Sequence, residues 1–292
     1  MFALLNPFTA GVEREISRLA EEAKIPVVGP FTLYPDSTLA VNRYTFFVLP
    51  GLREQGMALA RFAVADLKLD NPAVAIVHPA GDGYADTVQA VEGQLKERRW
   101  ERIRRATYAP GQMPDARLVA DLQQRGVQVV FFLGSDAELA ALGRLVRDAI
   151  WSPYLLAPGA KVARAAADLP TTFGNRVYLA YPSLPRDVTA KGAAALAEMQ
   201  KKRNLGNRHQ PAQISAYASA QVLEEGLKRA GRDLSRARLV DNLENLFSFE
   251  SNVTPSISYG PNRRIGALGA HIVRVDLSTH SFQPVGSYVR LD

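Results

Sequence analysis

A chain of 292 residues is long enough for two domains or one two-lobed domain, and 47% hydrophobic with 22% charged residues excludes a disordered polymer. The lack of cysteine excludes a disulfide scaffold, a thiolate metal site and a cysteine nucleophile. With 35 basic against 29 acidic side chains the net charge of +6 raises the question of nucleic acid without answering it, and no apolar run reaches the ~18 residues a membrane helix needs.

Short β-like runs alternate with amphipathic helices. Residues 2–5 read as a strand, and residues 12–24 as a helix with Val12, Ile16, Leu19, Ala20 and Ala23 on one face. Residues 25–28 form the next strand, closed by Gly29-Pro30, and after a loop rich in Pro, Asp and Ser residues 44–49 read as another. A helix over 52–67, a buried strand over 73–77, a helix over 83–98 and a strand near 102–108 follow. Asp115 is placed to cap a helix running to Gln124, with Gly126 just past its end. Residues 127–133, VQVVFFL, are apolar throughout, the pattern of a parallel strand covered on both faces. Ser135 or Asp136 then opens a helix to Ile150, and residues 154–157 and 177–181 are strands. Three helices over 187–203, 212–230 and 235–247 precede a β-like tail containing ISYG, HIVRVD and SYVRL. This alternation predicts an α/β architecture of parallel sheets with right-handed crossovers and helices on both faces.

Ligands of open α/β sheets sit at loops after strand C-termini. Three such loops, over residues 6–11, 29–34 and 79–84, combine small residues, a hydroxyl and an aromatic, with backbone amides able to meet an anion. For any single loop, ordinary turn chemistry is the better account. Catalytic signatures are missing: there is no phosphate loop, no GxGxxG, no zinc spacing among His78, His209, His271 and His280, and no GxSxG elbow. The basic run KERRWERIRR around Trp100 reads as a solvated helix end beside the negative macrodipole terminus, so no nucleic-acid partner is expected. No cofactor and no metal are expected. The opening Met1-Phe2-Ala3-Leu4-Leu5 lacks a basic leader and a small-residue cleavage site, so it does not read as a signal peptide.

Five stretches taken together carry a resemblance. They are LAEEAKIPVVGPFT (19–32), NRYTFFVLPGLREQGMALARF (42–62), AVAIVHPAGDGYADTVQAV (73–91), GVQVVFFLGSDAELAALGRLVRD (126–148) and ISYGPNRRIGALGAHIVRV (257–275). In this order the chain resembles the type I periplasmic solute-binding proteins, the branched-chain amino acid (leucine/isoleucine/valine) binding group of ABC transporters. The resemblance implies two α/β lobes joined by three crossings: residues 1–50 with 183–266, and 51–182 with 267–292. It also implies that the match begins inside the first lobe. Two βα units of family members, roughly seventy residues, would lie upstream, so the first lobe is expected to be incomplete at its N-terminus. The natural polypeptide is then expected to continue upstream, with a signal or a fused domain, or its start to have been assigned late; a partner subunit would also complete the sheet.

The implied activity is non-catalytic: a small solute held by closure of the two lobes and presented to an ABC permease or an upstream fused domain, in the periplasm, with no direct membrane insertion. The implied site is Thr9, Ala10, Phe31 and Thr32 for a solute carboxylate, Tyr84 beside Gly83 for stacking, and Ser135-Asp136 from the next loop. The family's acidic partner for a solute ammonium falls near Pro158-Gly159-Ala160, followed by Lys161. Burying an ammonium there without a carboxylate is costly, which points to a neutral or anionic solute unless Asp136 supplies the charge. Two alternatives stand beside this reading: a scaffold that has lost its ligand site, and a cytoplasmic amide-type ligand sensor of the same fold.

Overall fold

The computed structural model describes residues 1–36, 42–206 and 208–291. Residues 37–41, in the expected Pro/Asp/Ser-rich loop, lie outside the described residues. The chain divides into two compact units, Met1–Gly51 with Pro182–Leu268 and Leu52–Tyr181 with Gly269–Asp292. Unit 1 opens with β1 (Leu4–Leu5), α1 (Glu13–Ala23), β2 (Val27–Val28) and β3 (Thr45–Phe46). Unit 2 continues with α2 (Leu52–Asp66), β4 (Val74–Pro79), α3 (Ala85–Lys96), β5 (Ile103–Tyr108), α4 (Ala116–Gln124), β6 (Val129–Phe132), α5 (Asp136–Asp148), β7 (Tyr154–Pro158), α6 (Gly159–Ala167) and β8 (Val177–Tyr181). The chain returns to unit 1 for α7 (Ala190–Arg203), α8 (Gln210–Ala230) and α9 (Arg236–Glu244), then completes unit 2 with β9 (Gly269–Asp276) and β10 (Ser281–Arg290).

In unit 1 the parallel sheet runs β1-β2-β3, and Phe47 adds a bridge to Ile265. Val27, Val28 and Phe46 are sealed under Val222, Leu239, Leu243 and Val253. Full burial of a side chain of this size contributes about 1.5–3 kcal/mol. A buried charge holds the floor of this core. Arg264 reaches Glu244 at 2.5 Å, donates to the Asn42 carbonyl at 3.0 Å, and sits 4.7 Å over the Phe46 ring. Facing outward are Phe2, Leu5, Phe8, Val12 and Leu19, all exposed.

Unit 2 is a seven-stranded sheet in the order β10-β9-β8-β7-β6-β4-β5. β4 to β8 are parallel, in the register Val74↔Ile103, Val74↔Val129, Val129↔Tyr154 and Leu155↔Val177. β9 and β10 are antiparallel additions, with Leu179 opposite Val273 and a bulge between Val285 and Val289. The alternation of strand side chains builds a core on each face. Val129 and Phe131 of β6 face the layer of α2 and α3, while Val130 and Phe132 face α4, α5 and α6. The uniformly apolar reading of this segment is explained by that double coverage.

Three local differences from the sequence reading have physical causes. The helix expected from residue 83 begins as a 3-10 turn at Asp82–Tyr84 before α3. α6 was not expected, because Pro158-Gly159 reads as a break; proline is tolerated at a helix entry, and Val162, Ala165 and Ala166 then bury one face. ISYG forms isolated bridges, Phe249 to Ile257 and Gly260 to Arg263, in place of a strand. Asp115 and Ser135 cap α4 and α5 as their chemistry predicts, each accepting from a backbone amide three residues on. Among the described residues no helix is long and apolar enough to cross a membrane, and no group of three or more His, Asp or Glu is placed to hold a metal.

Candidate functional site

Each unit gathers a share of the residues at the C-terminal ends of its parallel strands. In unit 1 the loops after β1 and β2 lie side by side through a bridge between Phe8 and Phe31, with the Thr9 amide donating to the Phe31 carbonyl at 3.3 Å. Asn6 ties them to α8: its Nδ2 reaches the Gly29 carbonyl at 2.7 Å and the Ser215 and Ser219 hydroxyls at 3.2 and 3.3 Å. Gly29 is required here, at a φ of +67° with the Ser219 hydroxyl where a Cβ would stand. Thr9 is buried and its hydroxyl has no hydrogen-bond partner among the described residues, whereas Ala10 is exposed. Thr32 is engaged: its hydroxyl donates to Glu13 at 2.5 Å and accepts from the Tyr34 amide at 3.0 Å. The same Glu13 carboxylate accepts from the Gly11 amide at 3.0 Å. A carboxylate of the protein itself therefore occupies a hydroxyl and an amide of this loop pair.

In unit 2 the strand order reverses at β4, which has β5 on one side and β6 on the other. Helix α3 leaves to one face and α4 returns on the opposite one. Such a switch point opens a crevice between the loops that leave its two strands. Tyr84 comes from the loop after β4 and Ser135 from the loop after β6. Lys161, in the first turn of α6, donates to the Tyr84 hydroxyl at 2.7 Å and lies 4.9 Å from the ring centroid. Among the described residues Lys161 has no carboxylate partner. His78 sits behind, its ring 5.9 Å from that of Tyr84, its Nδ1 2.8 Å from the Pro79 carbonyl, and its Nε2 buried with no partner among the described residues.

Two carboxylates follow Ser135 in the first turn of α5, and both are engaged. Glu138 accepts from the Ser135 amide at 2.6 Å and hydroxyl at 2.8 Å, closing the capping box of α5. Burial, and then the Glu138 charge, push the phenols of Tyr84 and Tyr108 above their ordinary range. Asp136 turns toward α6, accepting from the Ala165 amide at 2.9 Å. It lines a cavity of about 680 Å³ with Arg144, Arg164, Asp168 and Thr171 on the α5–α6 side. Burial, and then Asp136, push Tyr181 up to about 12.

The predicted residues thus fall into one group per unit: Thr9, Ala10, Phe31 and Thr32 in unit 1, and Tyr84, Ser135 and Asp136 in unit 2. Ser135 holds Glu138, whose charge is felt at Tyr84, while Asp136 is drawn aside to α6. Sequence reasoning passed over Glu13 and Glu138. Both are acids in the first turn of a helix that follows a loop, a position where an acid usually serves the helix alone. Trp100, the aromatic of the basic run, is buried in the core, and Arg105 pairs with Glu92 at 2.7 Å, so this run presents no open aromatic.

A model of the periplasmic binding protein family matches residues 1–280. A Leu/Ile/Val-binding protein homologue of Brucella melitensis is 25% identical over 232 residues, covering 76% of this chain; the chain spans 59% of that relative's length. Among solved structures, a leucine-binding protein of Thermotoga maritima matches 100% of this chain and 81% of its own, with a TM-score of 0.74 at 16% identity. A branched-chain amino acid ABC transporter protein of Thermus thermophilus with bound valine covers 96% of this chain and 76% of its own, with a TM-score of 0.70 at 16% identity. At these identities the likeness is one of fold.

Proposed function

Because the chain belongs to the periplasmic binding protein family, whose members bind without catalysis, we propose that it is the solute-receptor component of an ABC-type uptake system. It takes a branched-chain amino acid or a related small carboxylate-like solute, with two lobes closing on it, and works in the periplasm beside a permease. The observation that carries this reading is the switch-point crevice of unit 2, where Tyr84 and Ser135 stand at the ends of adjacent parallel strands. The names of the relatives, which refer to leucine and valine, support the solute class.

A thermal-shift screen over branched-chain amino acids and their carboxylate analogues tests it. A bound solute at 100 times its Kd stabilises by about 2.7 kcal/mol, and Tyr84→Ala should weaken that solute's calorimetric affinity at least tenfold. No stabilisation by any member would replace the receptor with the scaffold reading.

A further inference from the structure

Resting on the receptor reading, the geometry points to Lys161, positioned by Tyr84, as the residue that determines specificity: it selects a solute that brings a carboxylate to unit 2. Three observations combine. First, Lys161 is a half-buried ammonium whose single hydrogen-bond partner among the described residues is a neutral phenol. It uses one of its three N–H donors on the Tyr84 oxygen, which leaves that hydroxyl's own proton free to donate elsewhere. Two N–H donors and one O–H donor at one point match the two oxygens of a carboxylate, and charge-assisted bonds of this kind are roughly twice as strong as neutral ones.

Second, the two acids in the first turn of the neighbouring α5 are committed elsewhere. Glu138 accepts from both donors of Ser135, and Asp136 accepts from Ala165. The Lys161–Tyr84 contact also reaches from the end of β7 past β6 to the loop after β4, so it lies across the crevice mouth rather than on the outer surface of one helix. Third, in unit 1 the Thr32 hydroxyl and the Gly11 amide already hold the Glu13 carboxylate. Those donors are satisfied without a solute anion; the cation of unit 2 is not.

The experiment measures calorimetric affinity for leucine, for its des-amino analogue 4-methylpentanoate, for the decarboxylated 3-methylbutylamine and for glutarate. Wild type, Lys161→Met and Lys161→Arg are compared, with the unliganded melting temperature as the control for folding. The expected result is that a carboxylate-bearing member binds wild type and the amine does not. Lys161→Met then lowers that affinity at least tenfold, about 1.4 kcal/mol, and Lys161→Arg restores most of it. A member that binds wild type and Lys161→Met equally, or preferential binding of the amine, overturns the assignment while leaving the receptor reading in place. Failure of every member to bind wild type overturns both.

Discussion

At the scale of single residues, polarity is spent on holding the loops before any solute arrives. Glu13, Glu138, Asp136 and Asn6 each fasten a strand-end loop to a helix or to its neighbour. Residue types visible in the sequence pointed to Tyr84 and Ser135, an aromatic and a helix-capping hydroxyl after strands, and both lie in loops that leave parallel strands of unit 2. They could not reveal that Thr32 is taken by Glu13, a contact spanning 19 residues that depends on how two loops align. The buried phenols give a pH dependence with a definite sign. Folding holds Tyr181 protonated up to about 12, against an ordinary value of 10.0, chiefly through burial. Above pH 10 the unfolded chain releases that proton while the folded one keeps it, so the unfolded state binds fewer protons and stability falls as pH rises. The contribution is intact below pH 10 and lost by about 12. Urea titrations at pH 9 and pH 11 should show a drop in wild type that Tyr181→Phe makes smaller; an equal drop in both would refute the assignment.

At the scale of elements, β6 and α5 were readable because their patterns are unmixed: one is apolar at every position, the other begins with a capping box. α6 was not, since its entry through Pro158 and Gly159 resembles the end of an element rather than the start of one. Its necessity lies in packing. Gly159 meets the face of the Tyr181 ring, and a Cβ there would stand 2.2 Å from the ring carbon Cζ. Gly159→Ala should therefore cost about 1–3 kcal/mol by overpacking. Tyr181→Ala in the same chain should recover part of that loss, since residues in contact do not add independently. Additive losses in chemical denaturation would show that the ring moves aside freely and that α6 does not depend on the close approach.

At the scale of the whole molecule, the parallel α/β architecture was legible from the βα rhythm, and the division into units follows cores that share no residue: one in unit 1, two on the faces of the unit 2 sheet. The antiparallel β9 was legible as a strand but not in direction, because its partner β8 lies some ninety residues earlier, whereas β10 pairs with the β9 that directly precedes it. Continuity differs between the units. β4 to β8 and their helices come from one uninterrupted stretch, whereas β1, β2 and β3 need α8 and α9 from beyond residue 182 to cover them. Pulse-labelled hydrogen exchange during refolding should protect the amides of β4, β6 and β7 before those of β2 and β3; the reverse order would contradict this view.

In a cell the same discontinuity becomes a matter of timing. Ribosomes add roughly 5–20 residues per second, so Val27, Val28 and Phe46 emerge on the order of ten seconds before the helices that will cover them. During that interval the nascent chain carries an uncovered apolar strand set ahead of a half that can already collapse. The order of segments thus leaves β1, β2 and β3 without their apolar cover until the helices beyond residue 182 have been made.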